Sequence, residues 1–207
     1  MNNKSYYIDG SKSQANQESF VINVLNYKKN GFYVELGAGW PEYNSNTYLL
    51  ETKFNWTGVS FENDVGRYHN FILERKNQCL CVDARNFDYQ KYFITHNFPQ
   101  QIDYLQMDIH PACDTLKALK NIPLNNYRFS VITYEHNGYI DDFHMGIKME
   151  SQDIFKSLGY ALVVNNLTYN GKAYEDWWVD PSVIDYSRYK DFISSDIDCN
   201  ILLNKIS

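Results

Sequence analysis

Short apolar runs alternate with longer amphipathic stretches along most of the chain. The runs at 32–36, 58–61, 79–82, 102–107, 129–134, 160–164 and 174–179 predict seven strands. The stretches between the first five, at 44–54, 64–74, 88–95 and 111–120, are each long enough for a helical crossover. Strands alternating with helices predict βαβ units, a mostly parallel sheet and helices on both of its faces. Residues 11–28 carry Phe20, Val21, Val24 and Leu25, a helical stripe that stops at Asn30-Gly31. A further helix is predicted over 143–158, stopped by Gly159. The polar link Tyr169-Asn170-Gly171 is too short for a crossover, so 174–179 should run antiparallel at the end of the sheet. The expected organisation is one α/β domain over 1–207. It has an N-terminal helix at 11–30, a core at 31–180 and an extension at 181–207, set off by Asp180-Pro181.

With 207 residues, 44% of them hydrophobic, the chain can bury a core without staples. Nineteen basic against twenty-five acidic side chains give a net charge of −6, which argues against a phosphate-backbone binder. No run approaches the roughly 18 apolar residues of a membrane span, and Met1–Ser5 leads into no apolar signal region. Cys79, Cys81, Cys113 and Cys199 form no CxxC pair and no disulfide framework. Cys79 and Cys81 are two apart and should share a core-facing side of a strand. These features predict a cytoplasmic protein with neither membrane nor nucleic-acid partner.

In an open parallel sheet, ligands bind beyond the carboxyl ends of the strands. Those ends carry a series of acids. The first is Glu35-Leu36-Gly37-Ala38-Gly39, whose glycines permit a sharp turn and close ligand approach. The next helix should start near Asn44-Ser45-Asn46-Thr47, with N–H groups free for an anion. Glu62 ends the second run, where a carboxylate can accept from both ribose hydroxyls. Asp83-Ala84 ends the third run, Asp108-Ile109-His110 the fourth and Glu135-His136-Asn137 the fifth. The third glycine of a dinucleotide fingerprint is replaced by Glu42, which counts against NAD, and no GK[ST] of a P-loop is present. S-adenosylmethionine (SAM) uses the same layout without a phosphate.

Several segments together resemble the FkbM-type methyltransferases. They are Ser13-Gln14…Gln17-Glu18, 30–39, Ser45-Asn46-Thr47, 56–62, 102–108, 131–137, Leu158-Gly159-Tyr160 and 175–178. The resemblance implies a Rossmann-like class I methyltransferase fold, SAM as cofactor and O-methylation of a hydroxyl on a sugar, glycan or small molecule. By position it implies that Glu35, Gly37, Ala38, Gly39 and Asn46 face the methionine end. It also implies that Glu62 holds the ribose, that Asp83 and Ala84 meet the adenine, and that Asp108 lies beside the sulfonium. The chain departs from the family pattern at His110-Pro111, where an acid followed by glycine is usual.

A hydroxyl acceptor needs a base, and Asp108, His110, Glu135 and His136 are the candidates. The same four could instead hold a divalent metal that acidifies the acceptor. An antiparallel last strand begins at the catalytic edge, so Glu175 and Asp176 should rim the acceptor pocket. Trp177 and Trp178 should point to opposite faces, one of them free to stack on a sugar. The alternatives are a methyltransferase-like binding protein without turnover and an NAD-dependent oxidoreductase.

Overall fold

The computed structural model describes residues 6–204; the signal-region expectation at Met1–Ser5 falls outside them. The predicted alternation forms as β1 (Phe32–Leu36), α2 (Tyr48–Phe54), β2 (Thr57–Glu62), α3 (Val65–Glu74), β3 (Gln78–Cys81), α4 (Tyr89–Thr95), β4 (Gln101–Met107), α5 (Ala112–Asn121), β5 (Arg128–Glu135), α6 (Asp142–Ser157), β6 (Ala161–Tyr169) and β7 (Lys172–Val179). Before these comes α1 (Gln17–Val24). After them come α7 (Tyr186–Tyr189), β8 (Ser194–Asp198) and α8 (Cys199–Leu203). Short acids start several helices, with Asp64, Asp88 and Asp141 each accepting a first-turn N–H.

The strands form one sheet in the order β3-β2-β1-β4-β5-β7-β6-β8. Every neighbouring pair is parallel except those of β7, which is antiparallel to both β5 and β6. Two expectations are corrected here. Among the described residues the sheet has eight strands rather than seven, because β8 lies in the polar tail and is not visible as an apolar run. The antiparallel strand is also internal, since β6 and β8 lie beyond it.

Alternation along the strands builds two cores. Tyr33, Tyr104, Val131, Trp177 and Val179 pack with Phe20, Val21 and Val24 of α1 and Leu49 and Leu50 of α2. Val34, Leu36, Leu105, Met107, Ile132 and Trp178 pack on the other face with α4, α5 and α6. Trp177 and Trp178 therefore do take opposite faces, but both are buried, and Trp177 stacks on Phe20 at 4.5 Å. Cys79 is buried while Cys81 is exposed, because β3 is the sheet's outer strand and is covered only in part.

Helix α1 is shorter than the 11–28 expected. Asn16 takes a left-handed conformation before it, and Ser13 instead bridges Asn44. This brings Gln14 and Gln17 over the carboxyl ends of the central strands, where the cleft lies.

Candidate active site

A cleft of about 440 Å³ opens at the carboxyl ends of β1, β2, β3 and β4. Order reverses between β1 and β4, the switch point at which such sheets bind ligands. Of the residues read from sequence, Glu35, Gly37, Ala38, Gly39, Asn46, Glu62, Asp83, Ala84, Asp108 and His110 line it. Glu135, His136, Glu175, Asp176 and Trp177 do not.

The glycine turn is set by two different needs. Gly37 has φ +80°, and a Cβ there would overlap the Asp108 carbonyl oxygen, so β1 and β4 can converge only on a glycine. Gly39 has φ +65°, and nothing lies within 4 Å of its Cβ position, which leaves its backbone open to the cleft. Its N–H donates to Glu62 Oε2 at 2.8 Å, and Asp64 N–H donates to Oε1 at 2.8 Å. Each Glu62 oxygen keeps a lone pair for a hydroxyl.

Glu35 is enclosed by donors. Ser60 Oγ lies 2.6 Å from it and Thr47 Oγ1 3.0 Å, while the buried Arg75 guanidinium lies behind Thr47. Burial pushes the Glu35 carboxyl up to about 7, against the pull of Arg75 and the two hydroxyls. The helix N-terminus expected to hold an anion is already filled. Ser45 Oγ accepts from Tyr48 N–H, and Glu18 Oε1 accepts from Leu49 N–H at 2.5 Å. No free helix N-terminus faces a pyrophosphate there.

Asp83 departs from expectation. Arg85 clamps it through Nε at 2.8 and 3.0 Å, through Nη2 at 2.6 Å and through its own N–H at 2.9 Å. The Arg85 hydrogen bonds hold the carboxyl below its usual range, and little acceptor capacity remains for an adenine amino group.

Three carboxyls meet where β4, β5 and β7 come together. Glu135 and Glu175 are direct cross-strand partners, and Asp108 follows the end of the neighbouring β4. Burial pushes Asp108 up, while a hydrogen bond with Glu135 and the nearby His110 restrain the rise. Burial raises Glu135 well above the carboxylate range, and the Asp108 charge adds to it. Two carboxyls in contact favour holding one proton between them, so both are raised. Glu175 is pushed up to about 8, chiefly by burial and then by Asp108, although Gln17 Nε2 donates to it at 2.7 Å. Asp108 is the member of the group that reaches the cleft.

His136 is elsewhere. It is 0% exposed, its Nδ1 accepts the Gly138 N–H at 2.9 Å, and its Nε2 lies 3.3 Å from Asp176. Asp176, also 0% exposed, accepts from Gln152 and from the Asn166 N–H at 2.8 Å each. This enclosed pair ties the loop after β5 to β7, so the expectations of a histidine base and of a rim formed by Asp176 and Trp177 do not match the geometry. Glu175 likewise lies under Gln17 rather than at the rim. Among the described residues, no group of three or more His, Cys, Asp or Glu is arranged to hold a metal ion.

Spacing gave no role to Gln17 and Gln106, yet both line the cleft. Gln106 was findable, since it sits two residues before Asp108 on the same strand face. Gln17 reaches the site only through tertiary packing.

The architecture is that of the Rossmann-like class I methyltransferases. An O-methyltransferase from Bacillus cereus in complex with SAH is similar over 84% of each chain, with TM-score 0.56 and 13% identity. A putative O-methyltransferase from Klebsiella pneumoniae is similar over 80% of each chain, with TM-score 0.53 and 10% identity. A fibrillarin/Nop5p complex is similar over 83% of each chain, with TM-score 0.52 and 13% identity. No family model and no curated protein matches the chain.

Proposed function

We propose that the protein is a SAM-dependent methyltransferase of the FkbM type, which methylates a hydroxyl of a sugar, glycan or other small acceptor. The observation that carries this reading is the Glu62 carboxylate, fixed by two backbone N–H groups beside the open Gly39 turn. Such a carboxylate suits a ribose diol. The remaining lining fits a nucleoside without phosphates, since the N–H groups of the α2 N-terminus are already taken by Glu18 and Ser45. That argues against NAD. An acidic cleft also suits a cationic sulfonium. O-methylation and the FkbM assignment rest on the sequence resemblance, and the similar solved structures include O-methyltransferases.

When bound, SAM supplies an already activated methyl group. The chain's task is then to hold the acceptor and remove its proton. Asp108 is the group placed for this, because it is the member of the carboxyl group that reaches the cleft. His110 lines the same edge and can relay a proton. With the carboxyl pair in place, the departure at His110-Pro111 does not remove the base.

The test is isotope-labelled methyl transfer from SAM to a panel of hydroxyl acceptors. Transfer should be detected, should fall about 10²–10⁴-fold in Asp108→Asn and should survive a chelator. Absence of transfer to every acceptor, with the product SAH still bound, would favour a binding protein without turnover. Loss of transfer in chelator, restored by Mn, would favour metal activation.

A further inference from the structure

Helix α6 is turned inside out along its first half. Lys148 and Ser151 are buried, with Lys148 Nζ donating to Asn166 Oδ1 and Ser151 Oγ to the Lys148 carbonyl at 2.8 Å. Phe143 and Met149 are instead 63% and 61% exposed, and Met145 is exposed with them. Tyr139 and Ile140 add two exposed apolar side chains just before the helix. A helix packed on a sheet is expected to point Lys and Ser outward and Phe and Met inward. Single exposed apolar residues need no explanation, but a cluster of them does. None of the five lines the cleft, so the proposed methyl transfer does not account for them.

The outer line of the helix is built to meet itself. Seven residues fall only about 20° short of two full turns, so Asp142, Met149 and Lys156 lie along one line of the exposed face. That line reads acid, apolar, base. An antiparallel copy, related by a two-fold axis at Met149, sets Met149 against the partner's Met149 and Asp142 beside the partner's Lys156 at both ends. Within the chain, Lys156 Nζ donates to Gln152 on its own helix at 2.9 Å. Gly146 lies one turn before Met149. Glycine is costly inside a helix, and a Cβ there would meet nothing within 4 Å, so its own chain gives no reason for it. In a helix pair it lets the two backbones approach closely.

The five apolar side chains expose on the order of 500 Å², near the upper end of what a single chain leaves open. A stable dimer needs about 800 Å² from each copy, an apolar centre inside a polar rim. The patch supplies the centre, and the charged ends of α6 supply the rim. An anionic membrane surface fits less well, since the exposed Asp141, Asp142 and Asp153 would be repelled by it. We propose that the exposed face of α6 is the contact of a two-fold homodimer, centred on Met149 and closed at each end by an Asp142–Lys156 pair. This inference stands apart from the SAM reading of the cleft.

Analytical ultracentrifugation of the full chain over about 1–100 µM tests it. The unaltered chain should sediment at twice the chain mass. Met149→Glu should raise the dissociation constant about 100-fold or more, while its circular dichroism spectrum shows an unaltered fold. Asp142→Lys and Lys156→Asp each place like charges together and should each weaken the dimer about tenfold; the two combined should restore it. An unaltered chain that stays monomeric at every concentration would overturn the proposal, and binding of that monomer to neutral lipid vesicles would give the face to a membrane instead. A dimer that tolerates Met149→Glu, or a double variant no tighter than the single ones, would overturn it as well.

Discussion

Buried acids dominate the chemistry of single residues here, and their protonation couples to folding. Glu35 and Glu175 are pushed up to about 7 and about 8 from an ordinary value of 4.5, chiefly by burial. Between those values the folded chain holds protons that the unfolded chain has released. The stability these groups contribute is therefore full below 4.5 and is lost as pH rises through about 7 and 8. The ligand-free protein should melt at a lower temperature at a pH of about 8.5 than at about 6. Glu175→Gln should flatten the upper part of that slope, because it removes the buried charge but keeps an acceptor for Gln17. Melting curves across this range check the point, and an unchanged slope in the variant would show that Glu175 is not the titrating group. Asp176 behaves in the opposite way. Burial works to raise it, but the His136 contact and its other donors win, and it is held below its usual range.

At the scale of elements, the β1–α2 turn is the most constrained piece of the site. Gly37→Ala would push a methyl group into the Asp108 backbone while holding a left-handed φ, and should cost about 2–4 kcal/mol in denaturant unfolding. A variant as stable as the parent would mean that β1 and β4 do not close on each other as described. This turn was legible from sequence because glycine has no substitute there. The central strands were legible because their residues are apolar on both faces, as in Tyr33-Val34 and Ile132 beside Val131. Strand β8 was not, since Ser194-Ser195-Asp196 carries no apolar pattern and pairs only at the sheet's edge. The exposed Ser and Asp there are what an outer strand carries, and they resemble a loop when read alone. His136 is ambiguous in the sequence for a related reason. A histidine at a strand end is locally the same whether it faces a cleft or an aspartate on another strand, and only the β5–β7 pairing decides which.

On the scale of the whole molecule, the sheet order carries the functional argument. The reversal between β1 and β4 gathers Glu35, Gly39, Glu62 and Asp108 from separate strand ends into one cleft. The strand-end residues that line the cleft are legible in the sequence because each parallel strand delivers its last residue to the same edge. The surroundings of Glu135 and Glu175 are not, because they depend on an antiparallel strand and on an N-terminal segment whose packing no local pattern encodes. Among the described residues no helix is long and apolar enough to cross a membrane. If the proposed function holds, this cleft binds the nucleoside of SAM through Glu62. Isothermal titration of the full chain with SAH and with NAD tests it most directly. SAH should bind one-to-one, weakened by about 1.5–3 kcal/mol in Glu62→Ala, and NAD should give no comparable heat. Absence of SAH binding, equal binding of NAD, or an affinity untouched by Glu62→Ala would contradict it.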